Sequence, residues 1–223
     1  MNKPNVIRLF HGSRDGLHGD IAPISRDKCD FGAGFYMGTV IWQPLTLIHN
    51  EKNPVLYTVV LDLSGLNVLE LEPDLTWALV IAFHRGKLDV YKDLPIYKAI
   101  QNYVSGYDVI KGLIANDRMF VVLDRFFQGD ITDAALIHSL MGLELGEQYV
   151  AVSKKACSQI SILEEKRIDE SERQSLKSLS ANNRKVGIEL VEKVARQYRR
   201  EGRYFDEIVE NWNESEFGSK AAL

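Results

Sequence analysis

The chain reads as an α+β fold in which short strands are flanked by helices and a helical appendage follows. Three observations predict this. Residues 54–63 (Pro-Val-Leu-Tyr-Thr-Val-Val-Leu-Asp-Leu) crowd β-branched and aromatic side chains into one run that Ser64-Gly65 ends, the strongest strand signal in the chain. Met119, Phe120, Leu123, Phe126 and Phe127 recur at helical spacing, so one face of a helix there is core. From Glu164 onward the chain turns charge-rich, with twelve Lys/Arg against thirteen Asp/Glu. That near balance marks solvated helix faces and not an acidic or basic tail. The division that follows is a catalytic domain over residues 1–163 and a C-terminal helical appendage over residues 164–223.

Taken in order, residues 6–10 form a short β-rich run that ends at His11-Gly12. Residues 14–34 are glycine-rich and poor in apolar side chains, and read as a loop anchored by Ile21 and Ile24. Residues 35–39 fit a short strand. Residues 40–50 fit a helix that Pro44 confines to its first turn or kinks. After the 54–63 strand, residues 66–71 fit a second strand. Asp74-Leu75-Thr76 can cap a helix that runs to Arg85 and is closed by Gly86. Residues 94–104 fit a further helix and residues 107–114 a buried strand. Asn116-Asp117-Arg118 open the Met119 helix, Gly129-Asp130 breaks it, and Thr132 caps a short helix over residues 134–141. Residues 148–152 and 160–163 fit strands. Beyond them Leu190, Val191, Val194 and Tyr198 make one helical stripe, and Phe205, Ile208, Val209 and Trp212 a second, with Gly202 between. Apolar stripes usually face a core, so both helices are expected to pack on the domain in front of them; the alternative is a partner surface. Cutting the chain near Glu164 is expected to leave the binding site formed.

Composition narrows the function classes. The 223 residues are 45% hydrophobic and 26% charged, ordinary values for a soluble globular chain with a sizeable core. A formal net charge of -4 provides no global basic field of the kind that drives tight nonspecific nucleic-acid binding. Cys29 and Cys157 are too few for a disulfide framework or a cysteine zinc site, and read as reduced thiols. His18, His49, His84 and His138 have no metal-ligand spacing. No apolar segment marks a signal peptide or a membrane span, so a cytoplasmic site of action without membrane partners is expected.

The chemistry is concentrated in two motifs. The stretch Asp30-Phe31-Gly32-Ala33-Gly34-Phe35-Tyr36-Met37-Gly38-Thr39 sets three glycines among aromatics. It is not a dinucleotide loop. The third glycine falls at Gly38 where Met37 should be glycine, and polar Ser25-Arg26-Asp27-Lys28-Cys29 precedes it in place of an apolar strand. It pairs instead with Leu9-Phe10-His11-Gly12-Ser13-Arg14 upstream. Glu147-Gln148-Tyr149-Val150 is a third candidate.

His-Gly-Ser-Arg after an apolar run, followed by Phe-Gly-x-Gly-Phe-Tyr, resembles the His-Tyr-Glu class of ADP-ribosyltransferases, to which diphtheria toxin and the poly(ADP-ribose) polymerases belong. The likeness spans residues 6–163. It is closest to a bacterial branch catalogued as a domain of unknown function, whose members often read as toxins beside an antitoxin. The resemblance implies a split β-sandwich with flanking helices, NAD as co-substrate without a metal, and a macromolecular acceptor, protein or nucleic acid. In that class a His after the first strand bonds the adenosine ribose, the next Gly grips the nicotinamide amide, and a Tyr stacks on the nicotinamide ring. By position these are His11, Gly12 and Tyr36. Ser13, Gly34 and Phe35 complete the two segments between which NAD is expected. Arg14 and Arg26 are candidates for the pyrophosphate, since guanidinium matches phosphate oxygens, although Arg26 reads better as a surface charge. Arg118 or Asp117, at a helix start that favours anions, is a candidate for phosphate or acceptor, the alternative being simple capping by Asn116 or Asp117. For the second aromatic stack of the class this region offers Trp42, with Pro44 two residues on as a departure from the pattern.

The third motif departs from the class. Gln148 stands where Glu bonds the ribose 2′-hydroxyl, and Glu147 comes one residue earlier. A strand alternates faces, so the two cannot both enter one cleft. The expected ribose anchor is Gln148, which can hydrogen-bond but cannot act as a base or offset cationic charge. The implied activity is therefore mono-ADP-ribosyl transfer by a bacterial toxin or effector. NAD glycohydrolysis and a non-catalytic NAD-binding or protein-interaction module are the alternatives.

Overall fold

The computed structural model describes residues 5–26, 28–114, 117–142 and 146–213. Among them are seven strands, β1 (Val6–Ser13), β2 (Phe35–Gly38), β3 (Val55–Asp62), β4 (Val68–Glu70), β5 (Val109–Leu113), β6 (Glu147–Ala151) and β7 (Ile160–Arg167). The eight α-helices are α1 (Trp42–Ile48), α2 (Leu75–His84), α3 (Pro95–Tyr103), α4 (Asp117–Phe127), α5 (Asp133–Met141), α6 (Lys154–Ser158), α7 (Glu170–Tyr198) and α8 (Phe205–Glu210). The α+β class is as expected. The strands form one sheet in the order β4-β5-β6-β2-β1-β3-β7. Every neighbouring pair is antiparallel except β4 and β5. A parallel pair needs a long crossover, and α2 with α3 supply it here.

The sheet is not evenly laced. β1 pairs with β3 at eight positions, from Val6↔Asp62 to Ser13↔Val55, and β2 pairs with β6 at four. Between β1 and β2 the register holds at Phe10↔Gly38 alone. The two halves of the sheet therefore part along this seam, and the parting opens the cleft described below.

Three apolar clusters flank the sheet. The largest gathers Trp77, Met119, Val122, Phe126 and Leu136 beneath α2, α4 and α5, and includes Val191, Val194, Phe205, Ile208 and Val209 from α7 and α8. A second lies on the face of Leu9, Phe35, Met37, Tyr57 and Tyr149. A third, Ile48, Leu56, Ile168 and Leu176, packs α1 against β3 and the start of α7. Helix starts are secured as the sequence indicates: Asp74 accepts from the Trp77 amide and Thr132 from the Ala135 amide.

Three elements depart from expectation. β1 does not stop at His11 but carries His11, Gly12 and Ser13 in its ladder with Tyr57, Leu56 and Val55. β7 runs on to Arg167, past the compositional boundary at Glu164. α7 begins twenty residues before its visible stripe, behind a capping box of Asp169 and Glu172. Its early turns bury only Leu176, Asn183 and Gly187, a seam too sparse to read as a stripe. The two tail helices pack on the domain in front, as their stripes predict.

Candidate functional site

His11, Gly12 and Ser13 stand at the end of β1, where β2 turns away. His11 Nδ1 lies 2.7 Å from the Tyr36 carbonyl oxygen. A carbonyl only accepts, so Nδ1 carries the hydrogen and Nε2 is left as the acceptor of the ring. The imidazole thus makes a rung across the seam where backbone pairing has ended. Its ring stacks on Phe35 at 4.0 Å and 22°. Burial lowers the His11 pKa, outweighing the opposing effect of the Tyr36 hydrogen bond, so the ring is neutral near pH 7.

Gly12 is glycine for a packing reason. A Cβ there would stand 3.0 Å from both the Pro44 carbonyl and Ile48 Cγ2, so α1 closes directly against the back of β1. Gly34 is tighter still: its Cβ would fall 2.4 Å from Val150 Cγ1 on β6. Gly32 adopts φ +76°, the left-handed region open to glycine. That turn delivers the Phe31 amide to the Tyr36 hydroxyl at 2.9 Å and lets the same hydroxyl donate to the Gly32 carbonyl at 2.8 Å. Tyr36 is thereby fixed at both ends. Burial raises its pKa strongly, so it remains a phenol. The Ser13 hydroxyl donates to the Gly16 carbonyl at 2.7 Å and starts the loop that roofs the cleft.

The cleft holds about 910 Å³ and is lined from both halves of the sheet, with His11 and Tyr36 on its walls and Gln148 at its floor. β6 pairs in unbroken register on both sides, Gly38↔Gln148 and Gly112↔Gln148. Gln148 is therefore turned inward and is 3% exposed. Glu147 goes to the opposite face, where its carboxylate meets Lys111 Nζ at 2.8 Å beside Tyr149. The alternation expected from the sequence holds, and no bulge turns Glu147 into the cleft.

Arg14 stands at the rim, paired through Nε with Glu51 at 3.1 Å. Arg26 is exposed at the mouth. Arg118 opens α4, but its side chain lies outside the described residues, as does Asn116. Trp42 is not among the residues that line the cleft. The sequence reading missed a buried group beside Gln148. Asp30, 8% exposed, accepts from Arg85 Nε at 2.9 Å and Nη2 at 2.6 Å, and Arg85 lies over the Phe120 ring at 4.3 Å. All three line the cleft. Arg85 reads in the sequence as a helix end and Phe120 as core, and no spacing links Asp30 to either. Among the described residues no cluster of His, Cys, Asp or Glu is placed to hold a metal ion. No described helix is long and apolar enough to cross a membrane.

Against known families, the chain matches the model of one described as "Protein of unknown function (DUF3990)" over residues 7–162, a span that includes β2, β6 and all of β1 but Val6. No curated protein and no solved structure matches the chain.

Proposed function

The chain belongs to the DUF3990 family, and from its cleft we propose that it transfers single ADP-ribosyl units from NAD to a macromolecular acceptor, as a bacterial toxin or effector does. The observation that carries this reading is the meeting of His11-Gly12-Ser13, Gly34-Phe35-Tyr36 and Gln148 at one cleft, at the seam where the sheet parts. A sheet that parts in this way is what the split β-sandwich of the ADP-ribosyltransferases requires. The cleft volume of about 910 Å³ lies at the upper end of the range of small-molecule and cofactor sites.

In the proposed reaction the bond between nicotinamide nitrogen and ribose C1′ breaks, and its electron pair leaves with nicotinamide. A lone pair of the acceptor forms the new bond at C1′, and the acceptor proton passes to solvent. The residues bind and orient. Neutral His11 accepts a ribose hydroxyl at Nε2. The Gly12 backbone reaches the nicotinamide amide, with Ser13 beside it. Tyr36, held by Phe31 and Gly32, gives a fixed ring for stacking, and Phe35 keeps the His11 ring in plane. Gln148 accepts the 2′-hydroxyl. Arg14 is the rim cation for the pyrophosphate, and Arg118 is its second candidate. An amide at position 148 provides no base for activating a ribose hydroxyl, which favours single transfer over chain growth.

The test uses the full chain with NAD labelled in its adenosine part. Nicotinamide release with label carried into a protein or nucleic-acid pool is the expected result. Release with all label in free ADP-ribose makes the protein a glycohydrolase. NAD binding without release makes it a binding module, and absence of binding overturns the reading. An antitoxin partner, which the toxin reading implies, would be sought by co-purification from cells that survive expression of the chain.

A further inference from the structure

We propose that Asp30, held by Arg85, is a positioning residue that fixes the Gln148 amide, and that glutamate cannot replace glutamine at position 148. The activity readout of this proposal rests on the NAD reading of the cleft; its structural content does not.

Gln148 Nε2 lies 3.1 Å from the Leu113 carbonyl oxygen and 3.4 Å from Asp30 Oδ2. Both neighbours only accept. The amide carbonyl turned toward them would meet two acceptors and no donor. One orientation satisfies the site, with both amide hydrogens committed and Oε1 turned away from Asp30 and Leu113. Asp30 cannot yield, because two nitrogens of Arg85 clamp its other oxygen and Phe120 covers the guanidinium. The group is nearly dry, with Asp30 8% and Gln148 3% exposed, so a mismatch of donor and acceptor is not screened by water. Tyr36 is a further titratable group on this face, and its hydroxyl is already bound; Cys29, Lys87 and Asp124 also line the cleft. Lys111 and Glu147 lie on the opposite face.

The departure from the glutamate of the resembled class then has a local cause. A carboxylate at position 148 would face the Asp30 carboxylate and the Leu113 carbonyl with no hydrogen to share. The substitution that restores the acid of that class should therefore damage this protein. Exchanging the polarity of the pair should repair it, because Asn at position 30 can donate to the new carboxylate.

Four full-length chains decide the matter: wild type, Gln148→Glu, Asp30→Asn and the double variant. Melting midpoints at neutral pH are read first, then NAD-dependent nicotinamide release. Gln148→Glu is expected to melt lower and to lose about tenfold or more in release. The double variant is expected to recover much of the midpoint. Asp30→Asn alone frees the amide without removing it, so kcat should fall about tenfold while KM for NAD moves less than about threefold. A Gln148→Glu chain as stable and active as wild type overturns the proposal, and so does a double variant no better than Gln148→Glu. If Gln148→Glu fails to fold, folding of the double variant upholds the pairing and its failure overturns it. A wild-type chain inert toward NAD defeats the function proposed above, while the four midpoints still decide the pairing.

Discussion

A single imidazole joins the two halves of the sheet at the cleft. His11 replaces a backbone rung with a side-chain one, and Tyr36 spends its hydroxyl on the glycine turn before β2. Both are therefore fixed before any ligand arrives, which is what a positioning site needs. His11→Ala and Tyr36→Ala should each lower nicotinamide release tenfold or more, about 1.4 kcal/mol per decade in the transition-state term. Full release by both folded variants would remove them from the site. Gln148→Ala should cost much of the activity and Glu147→Ala little, since Glu147 is bonded to Lys111 on the outer face with its side chain 46% exposed. The opposite order, measured in the same assay, would move the role to Glu147. Histidine burial also sets a pH limit. Burial lowers the pKa of His11, and takes that of His84 down to about 4. Folded-state values below the ordinary 6.5 mean that the unfolded chain binds these protons first as pH falls. The stability they contribute is fully present above pH 6.5 and is lost as pH drops from there toward the folded values. Urea midpoints should thus begin to decline between about pH 6.5 and 5, above the range in which ordinary carboxylates titrate. A midpoint that stays flat across that window would contradict the burial of both rings.

At the level of elements, close backbone approach shapes the cleft more than loop freedom does. β2 can lie against β6 only because Gly34 has no side chain. Gly34→Ala would drive Cβ into Val150 Cγ1 at 2.4 Å, with the Ala151 carbonyl behind it at 3.1 Å. Valine is stiff at χ1 and cannot swing clear, so a loss of about 1–3 kcal/mol is expected. Chemical denaturation checks this, and a variant as stable as wild type would mean that the two strands are not so close. The same geometry explains what could be read beforehand. β3 was legible because both of its faces are buried and β-branched side chains fill it. α2 and α5 were legible because Asp74 and Thr132 cap them. The end of β1 was not, because His-Gly-Ser breaks the apolar pattern while the ladder to β3 continues. α6 is a five-residue helix capped by Ser153, too short for periodicity to mark. Within the cleft, His11, Tyr36 and Gln148 were legible as motifs with local neighbours. Asp30 and Arg85 were not, because they meet only when the loop before β2 folds over the end of α2.

Across the whole molecule, the long tail helix touches both sides of the cleft. Leu176 of its first turns, with Ile168 just before it, packs with Ile48 of α1, and Arg173 donates to the His49 carbonyl at 2.9 Å. α1 in turn backs Gly12. Farther along, Val191 and Val194 enter the cluster of α4 and α5, and Phe205 of α8 packs edge-on against Phe126 at 5.5 Å. α4 also carries Phe120, the cover of Arg85. The tail is charged on its outer surface and apolar along its seam, so the composition that marks a boundary at Glu164 describes only the solvent side. Removing residues 169–223 would take Phe205 off Phe126, open the cluster that α7 and α8 share with α4 and α5, and release α1 from its brace. Burial of apolar side chains is worth about 1.5–3 kcal/mol each, and several would be lost at once, which is comparable to the whole stability of a domain. The truncated chain is therefore expected to melt without a sharp transition, to bind a hydrophobic dye, and to lose the cleft. A milder probe separates packing from length. Ile208→Asp, at a site with no exposure, should destabilise the full chain through a buried, unpaired charge, and the loss should reach the cleft as a weakening of the NAD binding proposed above near the melting midpoint. A truncated chain that melts sharply and shows the NAD binding proposed for the full chain would instead establish the tail as a separable appendage, as its composition first indicates.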